Sequence, residues 1–302
     1  MSTELIPDYS SVVSATGFLR PRASRSLSSF QDHIITSRRI LALLGAGLSA
    51  SSGLPTFRGA GGLWKTHDVK ALSTPAAFDA DPALVWTFYL ERIKAAQEAK
   101  PNAAHVALTE LARKKEGFLA VNMNIDGLSR RAGHPEQQIH DIHGSLFTLR
   151  CTKCDLEIRP PDYEQYIHNL SQQSSITTSK LPRCHSCSEG LIRPGVVWFT
   201  ESLPQTSLKS IYDWVEAEPT IDTMLVIGTS TEVYPATAYI EAARKKGARV
   251  AVVNIEQEDP SLLGLEEQDW YIQGDAADLV PTMLKPVIGD TMQESLTGGC
   301  SI

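Results

Sequence analysis

The stretch Arg38-Arg-Ile-Leu-Ala-Leu-Leu44-Gly45-Ala46-Gly47-Leu48-Ser49-Ala50 decides the fold class. Arg38 to Leu44 reads as a buried strand, because its apolar run has core-strand length. The run ends abruptly at Gly45. Glycines at 45 and 47 let the chain turn tightly and let backbone N–H groups approach a pyrophosphate. The small Ala50 permits close helix–strand packing. An ordinary glycine turn reads the same way from these residues alone. An acidic ribose ligand is expected about 20 residues after such a turn, and it has no clear counterpart here. The chain continues instead with Gly53-Leu-Pro-Thr56-Phe57-Arg58-Gly-Ala-Gly-Gly62. An aromatic and a cation among glycines suit a lid over a ligand; a plain surface loop is the other reading.

Outward from that turn, helical periodicity runs over Pro82 to Lys100, and a second helix is predicted from Asn102 to Lys115. Phe118 to Asn122 reads as a buried strand, and Asp126 to Ala132 opens a helix. Later come Val196 to Phe199 (strand), Gln205 to Val215 (helix), Met224 to Gly228 (strand) and Ala236 to Lys246 (helix). Arg249 to Asn254 and Trp270 to Gln273 read as the last strands, and Ala276 to Leu284 as the last helix. Buried strands alternating with amphipathic helices predict an α/β fold, a Rossmann-like doubly wound parallel sheet. That domain is expected over 28–148 and 194–288. A smaller inserted zinc-binding domain is expected over 149–193, with part of the 55–100 helical segment packed on it. Residues 1–27 and 289–302 read as a flexible extension and a flexible tail.

Net charge is −7, so a sequence-independent grip on nucleic acid is not expected. No apolar run approaches the roughly 20 residues that span a bilayer, so no membrane role is expected. Arg20, Arg22 and Arg25 among serines look like a mitochondrial presequence, whereas Glu4 and Asp8 do not fit one. The expected compartment is mitochondrial or cytoplasmic, with the nucleus open, and not secretory. A monomer is the default assembly.

Cys151-x-x-Cys154 and Cys184-x-x-Cys187, with 29 residues between the pairs, make two thiolate knuckles. Together they complete a closed tetrahedral site for Zn²⁺, structural rather than catalytic. Four reduced cysteines in a loop are the bland alternative. Asn124-Ile125-Asp126-Gly127 falls at a strand end, where parallel sheets bind ligands; Asp126 also suits a helix cap. His143, beside glycine, suits general-base work, although a structural histidine is the default for a lone ring. Gly228-Thr229-Ser230 and Asn254-Ile255-Glu256 come directly after predicted strands. The first can donate hydrogen bonds to phosphate and the second can hold ribose hydroxyls.

Taken in order, these motifs resemble the sirtuin family. Gly-Ala-Gly-x-Ser-Ala, Pro-Thr-Phe-Arg, Asn-Ile-Asp-Gly-Leu, Ile-His-Gly-Ser, the two Cys-x-x-Cys pairs, Val-Val-Trp-Phe, Gly-Thr-Ser and Asn-x-Glu span about residues 30–285. The resemblance implies NAD-dependent deacylation of protein lysines, with the acyl group passing to ADP-ribose and nicotinamide released. It implies that Gly45, Ala46, Gly47, Ser49, Ala50, Thr56, Phe57, Arg58 and Trp64 contact NAD. Met123, Asn124, Ile125 and Asp126 would line the nicotinamide pocket. Gly228, Thr229, Ser230, Asn254, Ile255, Glu256 and Ala276 would hold the adenosine side. His143 would be the base. Val196, Val197, Trp198 and Phe199 would pair with an acyl-lysine peptide as an added strand.

Tyr89-Leu-Glu-Arg92 also resembles the Tyr-x-x-Arg of the desuccinylase-like branch. There Arg92 would bind an acyl carboxylate and Tyr89 would donate a hydroxyl hydrogen bond. Succinyl-, malonyl- or glutaryl-lysine would be the substrates. An amphipathic helix with Arg92 in solvent gives the same spacing. Met123 replaces the family's glutamine, Ser129 its histidine, and Thr200 its glycine after Trp-Phe; Ser73 stands where desuccinylases have alanine. These departures keep open a deacetylase or decrotonylase, and a catalytically weak NAD- or acyl-lysine-binding module.

Overall fold

The computed structural model describes residues 23–56, 62–229, 236–256 and 264–289. Phe57, Arg58 and Ser230 lie outside the described residues. Among those described, six parallel strands form the main sheet. They are β1 (Arg39–Leu44), β4 (Gly117–Asn122), β5 (Ile139–Asp141), β9 (Thr223–Ile227), β10 (Arg249–Asn254) and β11 (Trp270–Gln273). Their spatial order is β11-β10-β9-β1-β4-β5. The chain winds outward one way through β4 and β5, then returns beside β1 and winds the other way. The reversal falls between β1 and β9, and ligand crevices of doubly wound sheets open at the carboxyl ends of such a pair.

Helices cover both faces, which is why the strands are apolar throughout rather than alternating. Ile40, Ala42 and Leu44 face α1 (Leu27–Thr36), α5 (Ala103–Lys114) and α10 (Ala276–Ile288). Leu41 and Leu43 face the other way, toward α8 (Gln205–Glu216) and α9 (Ala236–Lys245). The period-two alternation of a strand thus serves two cores at once.

A second, smaller unit packs at the carboxyl-end side of the sheet. Its antiparallel sheet has the order β7 (Glu157–Ile158), β6 (Gly144–Cys151), β8 (Ile192–Val196). Around it lie the hairpin β2 (Leu63–Trp64) and β3 (His67–Asp68) and the helices α2 (Val69–Leu72), α3 (Pro75–Ala80), α4 (Pro82–Glu98) and α7 (Asp162–Ser171). They share one core that includes Trp86, Phe88, Tyr89, Leu149, Tyr163 and Trp198. α4 begins where Asp81 Oδ1 accepts the Leu84 N–H at 2.9 Å, with Pro82 in the first turn. The short helix α6 (Leu128–Arg131) comes after the Asn-Ile-Asp-Gly segment. Among the described residues no helix is long and apolar enough to cross a membrane.

Three sequence expectations change. Residues 23–27 are not part of a flexible extension: Ala23 is buried, and Ser24 bonds the backbone of Asp269 and Tyr271, extending the sheet beyond β11. Only Val196 of the expected strand 196–199 is strand, the last residue of β8. Beyond it the Val197, Trp198 and Phe199 amides turn to His143 O, Glu201 Oε2 and Ser73 O, which ends the ladder. The last helix runs past Leu284 to Ile288 despite Pro286, because Ile288 is buried and its carbonyl accepts from Lys114 Nζ at 2.9 Å.

The glycine turn is packed backbone against backbone. A Cβ at Gly47 would lie 2.6 Å from Gly228 Cα, and one at Gly228, where φ is +65°, would lie 2.3 Å from Leu48 N. Gly47→Ala is therefore expected to destabilise the fold by roughly 1–3 kcal/mol, read as a lower urea midpoint. Gly247→Ala, at φ +87° but in open space, should cost only about 1 kcal/mol. Equal midpoints for wild type and Gly47→Ala would refute the packing argument.

Candidate active site

Four groups converge at the carboxyl end of β1. Gly45 N–H bonds Ile227 O at 2.9 Å and Gly47 N–H bonds Gly228 O at 2.8 Å, so the turn is pinned across the β1–β9 reversal. A short 3-10 helix (Ala46–Ser52) comes next. Asn124, buried at the end of β4, donates from Nδ2 to Gly45 O at 2.9 Å. Its Oδ1 has no donor among the described residues. Asp126 is buried and accepts from Ser49 Oγ at 2.7 Å and from Leu128 N–H at 2.9 Å. Burial raises its pKa, and the Ser49 and Leu128 bonds oppose that. His105 Nε2 lies 3.4 Å from Ser49 Oγ, and burial pushes that ring down to about 4, so it is neutral. Spacing arguments passed over His105; its place three residues after the Asn102 helix cap was the available signal.

A cavity of about 260 Å³ opens from this loop toward the small unit. Ala46, Ser49, Asn124, Ile125 and Asp126 line one side, and Trp64, Phe88 and Arg92 line the other. The structure thus brings the predicted cofactor loop and Arg92 to one space. The Arg92 guanidinium lies 4.8 Å from the Phe88 ring centroid, and burial lowers its pKa while leaving it a cation at neutral pH. The Trp64 Nε1–H donates to Glu91 at 2.6 Å, which holds that carboxylate below its usual range. Phe88 was missed as a lining residue, although it shares a helix face with Arg92.

Other expected residues sit differently. Tyr89 does not line the cavity. It is 1% exposed, accepts from Trp198 Nε1 at 2.8 Å and donates to Ser73 Oγ at 3.2 Å. Trp198 is buried, stacked 3.5 Å beneath the Arg193 guanidinium, so its side chain belongs to the core rather than to a peptide surface. Arg193 forms a bidentate pair with Glu201 at 2.6 and 2.8 Å. The amides of residues 197–199 are all engaged within the chain and the Trp198 carbonyl accepts the Glu201 N–H, which leaves the Val197 and Phe199 carbonyls for an added strand. Thr200 has φ +74°, the left-handed conformation that makes glycine the unstrained choice there. Gly228 and Thr229 stand across the sheet reversal from Gly45, and Ala276 is buried in the first turn of α10. Thr56 is half-buried. Asn254 ends β10, and Ile255 and Glu256 beyond it are exposed.

His143 occupies the turn from β5 to β6. Its Nδ1 lies 2.9 Å from Met123 O. A carbonyl can only accept, so Nδ1 carries the hydrogen and Nε2 the lone pair. Burial lowers the His143 pKa and the Met123 bond opposes that, so the ring is a neutral base near pH 7. Position 123 thus serves His143 through its backbone, while the Met123 side chain packs on the sheet core.

The sulfurs of Cys151, Cys154, Cys184 and Cys187 all lie within 4.8 Å of one another. Cys151 and Cys187 are 3.7 Å apart and Cys154 and Cys184 are 3.6 Å apart. A disulfide needs about 2 Å. A zinc tetrahedron with bonds of about 2.3 Å has edges of about 3.8 Å, so these thiolates fit one zinc ion. Amides of Lys153, Cys187 and Gly190 point at three of the sulfurs, as expected for negative ligands.

Comparison with known proteins agrees with this geometry. The Sir2 family model matches residues 45–235. A Candida albicans protein named NAD-dependent protein deacylase is 43% identical, covering 88% of this chain and 99% of its own. A Danio rerio protein named NAD-dependent protein deacylase sirtuin-5, mitochondrial, is 37% identical over 78% of this chain and 80% of its own. A solved Sir2 homologue in complex with NAD superposes with a TM-score of 0.75 at 31% identity, covering 91% of this chain and 98% of that one. The chain belongs to the Sir2 family.

Purified protein is expected to carry about one zinc per chain by atomic absorption. Chelation, or Cys184→Ser, should lower the thermal midpoint by several degrees, because the thiolates share a core with Trp86 and Trp198. A metal-free chain with an unchanged midpoint would contradict a structural site.

Proposed function

We propose that this protein is an NAD-dependent protein-lysine deacylase that favours acidic acyl groups, succinyl, malonyl or glutaryl. The observation that carries the reading is the single cavity that joins Ser49, Asn124 and Asp126 to the Arg92 cation across apolar walls. NAD, when bound, would supply the acyl acceptor: with nicotinamide as the leaving group and water as co-reactant, the acyl group would pass to ADP-ribose and free lysine would be released. Gly45 to Ala50, Thr56, Phe57, Arg58 and Trp64 hold the phosphate and nicotinamide-ribose side. The Asn124 Oδ1 is available to a carboxamide N–H. Gly228, Thr229, Ser230, Asn254, Ile255, Glu256 and Ala276 hold the adenosine side. His143, with its lone pair on Nε2, takes the proton of a ribose hydroxyl. The peptide runs along residues 197–199 and donates its N–H groups to carbonyls there. Arg92 binds the acyl carboxylate.

The mostly apolar cavity walls, Phe88, Leu63 and Leu146, favour a second reading, deacetylation or decrotonylation. An acyl-peptide panel with NAD, read by mass spectrometry for acyl-ADP-ribose, separates the two. Arg92→Met is expected to lower kcat/KM on succinyl-lysine at least about tenfold while changing acetyl-lysine little. Equal losses on both would sink the acidic preference.

His143→Ala should abolish turnover while leaving NAD binding measurable. The folded pKa of His143 lies below the ordinary imidazole value of 6.5, and the neutral ring is the active form. The acid limb of kcat/KM should therefore have its midpoint below pH 6.5. A midpoint above 6.5 would argue against His143 as the base. A mitochondrial address is also part of this proposal, supported by Arg20, Arg22 and Arg25 among serines; a fluorescent fusion excluded from mitochondria would remove it.

A further inference from the structure

Position 123 meets His143 through its carbonyl, and one buried amide sets the direction of that carbonyl. Asn122, 3% exposed, is the last residue of β4. Its side chain is fully engaged. Nδ2 donates to Asp141 Oδ1 at 2.7 Å and to Asn124 O at 3.2 Å, and Oδ1 accepts the Asn124 N–H at 3.2 Å. A carboxylate and a carbonyl can only accept and a backbone N–H can only donate, so one orientation of this amide satisfies all three. The Asn124 N–H and the Met123 C=O belong to the same planar trans peptide, and they point to opposite sides of it. Asn122 holds the N–H on one side. The Met123 oxygen is thereby held on the other, 2.9 Å from His143 Nδ1. The preceding peptide is fixed as well: Asn122 O accepts the Ile142 N–H at 2.9 Å, and the Met123 N–H donates to Leu44 O at 2.9 Å. Asp141, two residues before His143, accepts Arg130 Nε at 2.6 Å on its other oxygen. The clamp therefore grips both the segment that carries the acceptor and the strand that leads into the base.

Resting on the deacylase reading above, in which His143 is the base, we propose that Asn122 is a positioning residue that sets which ring nitrogen of His143 carries its hydrogen. It acts through the Met123–Asn124 peptide. The base has to keep Nε2 bare, and the hydrogen stays on Nδ1 while that atom has an acceptor. Turning the Met123–Asn124 peptide takes the acceptor away. The hydrogen is then free to move to Nε2, the lone pair moves to Nδ1, and Nε2 can no longer take a proton from a ribose hydroxyl. The Met123 side chain packs on the sheet core, so control at this position runs through the backbone. An asparagine that merely closes a turn at a strand end would make the same bond to the Asn124 N–H. What separates the two roles is whether the ring tautomer follows the amide.

Nitrogen NMR of the protein with isotope-labelled histidine reports which ring nitrogen is protonated, and the His143 signals are assigned by their loss in His143→Ala. The wild-type ring should carry its hydrogen on Nδ1. In Asn122→Ala the signals should move toward the Nε2–H form, and kcat should fall roughly tenfold or more, as expected for a base held in the wrong tautomer. Asn122→Asp combined with Asp141→Asn exchanges the amide and the acid. It preserves the net charge, an acceptor for the Asn124 N–H and an amide–carboxylate bond between the two positions. This double variant should restore the Nδ1–H form and bring kcat within about threefold of wild type. A purely structural turn would lower the thermal midpoint and leave the tautomer unmoved. An unchanged tautomer in folded Asn122→Ala overturns the inference, as does a moved tautomer with unchanged kcat or an exchange that restores neither. Should Asn122→Ala fail to fold, the exchange decides by itself: Nδ1–H with near-native kcat supports the inference, and any other result overturns it. His143→Ala in the same series reports on the underlying reading. If it keeps full turnover, His143 is not the base and this inference falls with that reading. If it loses turnover while Asn122→Ala leaves the tautomer unmoved, only this inference falls.

Discussion

The site depends on one close approach, the contact of Gly45 and Gly47 with Gly228. Neighbouring parallel strands β1 and β9 send the chain away in opposite directions, and a crevice opens where they part. Two backbone bonds, from Gly45 to Ile227 and from Gly47 to Gly228, hold the two turns together across that crevice. Side chains on these glycines would force the turns apart. Asn124 then ties the end of β4 to the same loop through Gly45 O, and Asn102 ties α5 to it through Leu48 O. Asp126 and Ser49 bond one another across the remaining gap. A ligand entering here meets groups whose positions are already fixed by the sheet, which lowers the ordering cost of binding.

The small unit supplies what the sheet cannot. Its sheets are too small to stand alone, and the four thiolates sit at their edge where a zinc ion would close the structure. The aromatic core of Trp86, Phe88, Tyr89 and Trp198 fixes α4 against β8. That packing aims Arg92 at the cavity and turns Tyr89 inward. The Arg193–Glu201 pair braces the segment 197–199 from behind, and Val197 joins it to His143 through a 2.9 Å backbone bond. His143, the segment 197–199 and the cavity wall at Arg92 are thereby parts of one packed network rather than separate loops.

Much of this was legible in the residue pattern. The strand before Gly45, the two Cys-x-x-Cys pairs and the helix over 82–98 arise from local chemistry, and each formed within a residue or two of expectation. The misreadings share a cause. Val196 to Phe199 has the composition of a strand, but its amides find closer partners in His143, Glu201 and Ser73. Residues 23–27 look like a polar tail, yet Ser24 gains backbone bonds along β11. The last helix is expected to end at Leu284, yet burial of Ile288 carries α10 past it. In each case a long-range partner outweighed a local preference.

Short-range spacing by itself determined the type of fold and the metal knuckles, because those depend on periodicity and on residue chemistry. Only the tertiary structure decided which hydrogens those side chains have left to give. Met123 serves His143 through a carbonyl that no side-chain reading reveals. Tyr89 and Arg92 are equivalent neighbours on a helical wheel, but residues 16 and 109 positions away, Ser73 and Trp198, decide that one faces the cavity and the other does not. The physical reason is that a hydroxyl has a single proton, and its direction is set by whichever acceptor the fold brings within reach.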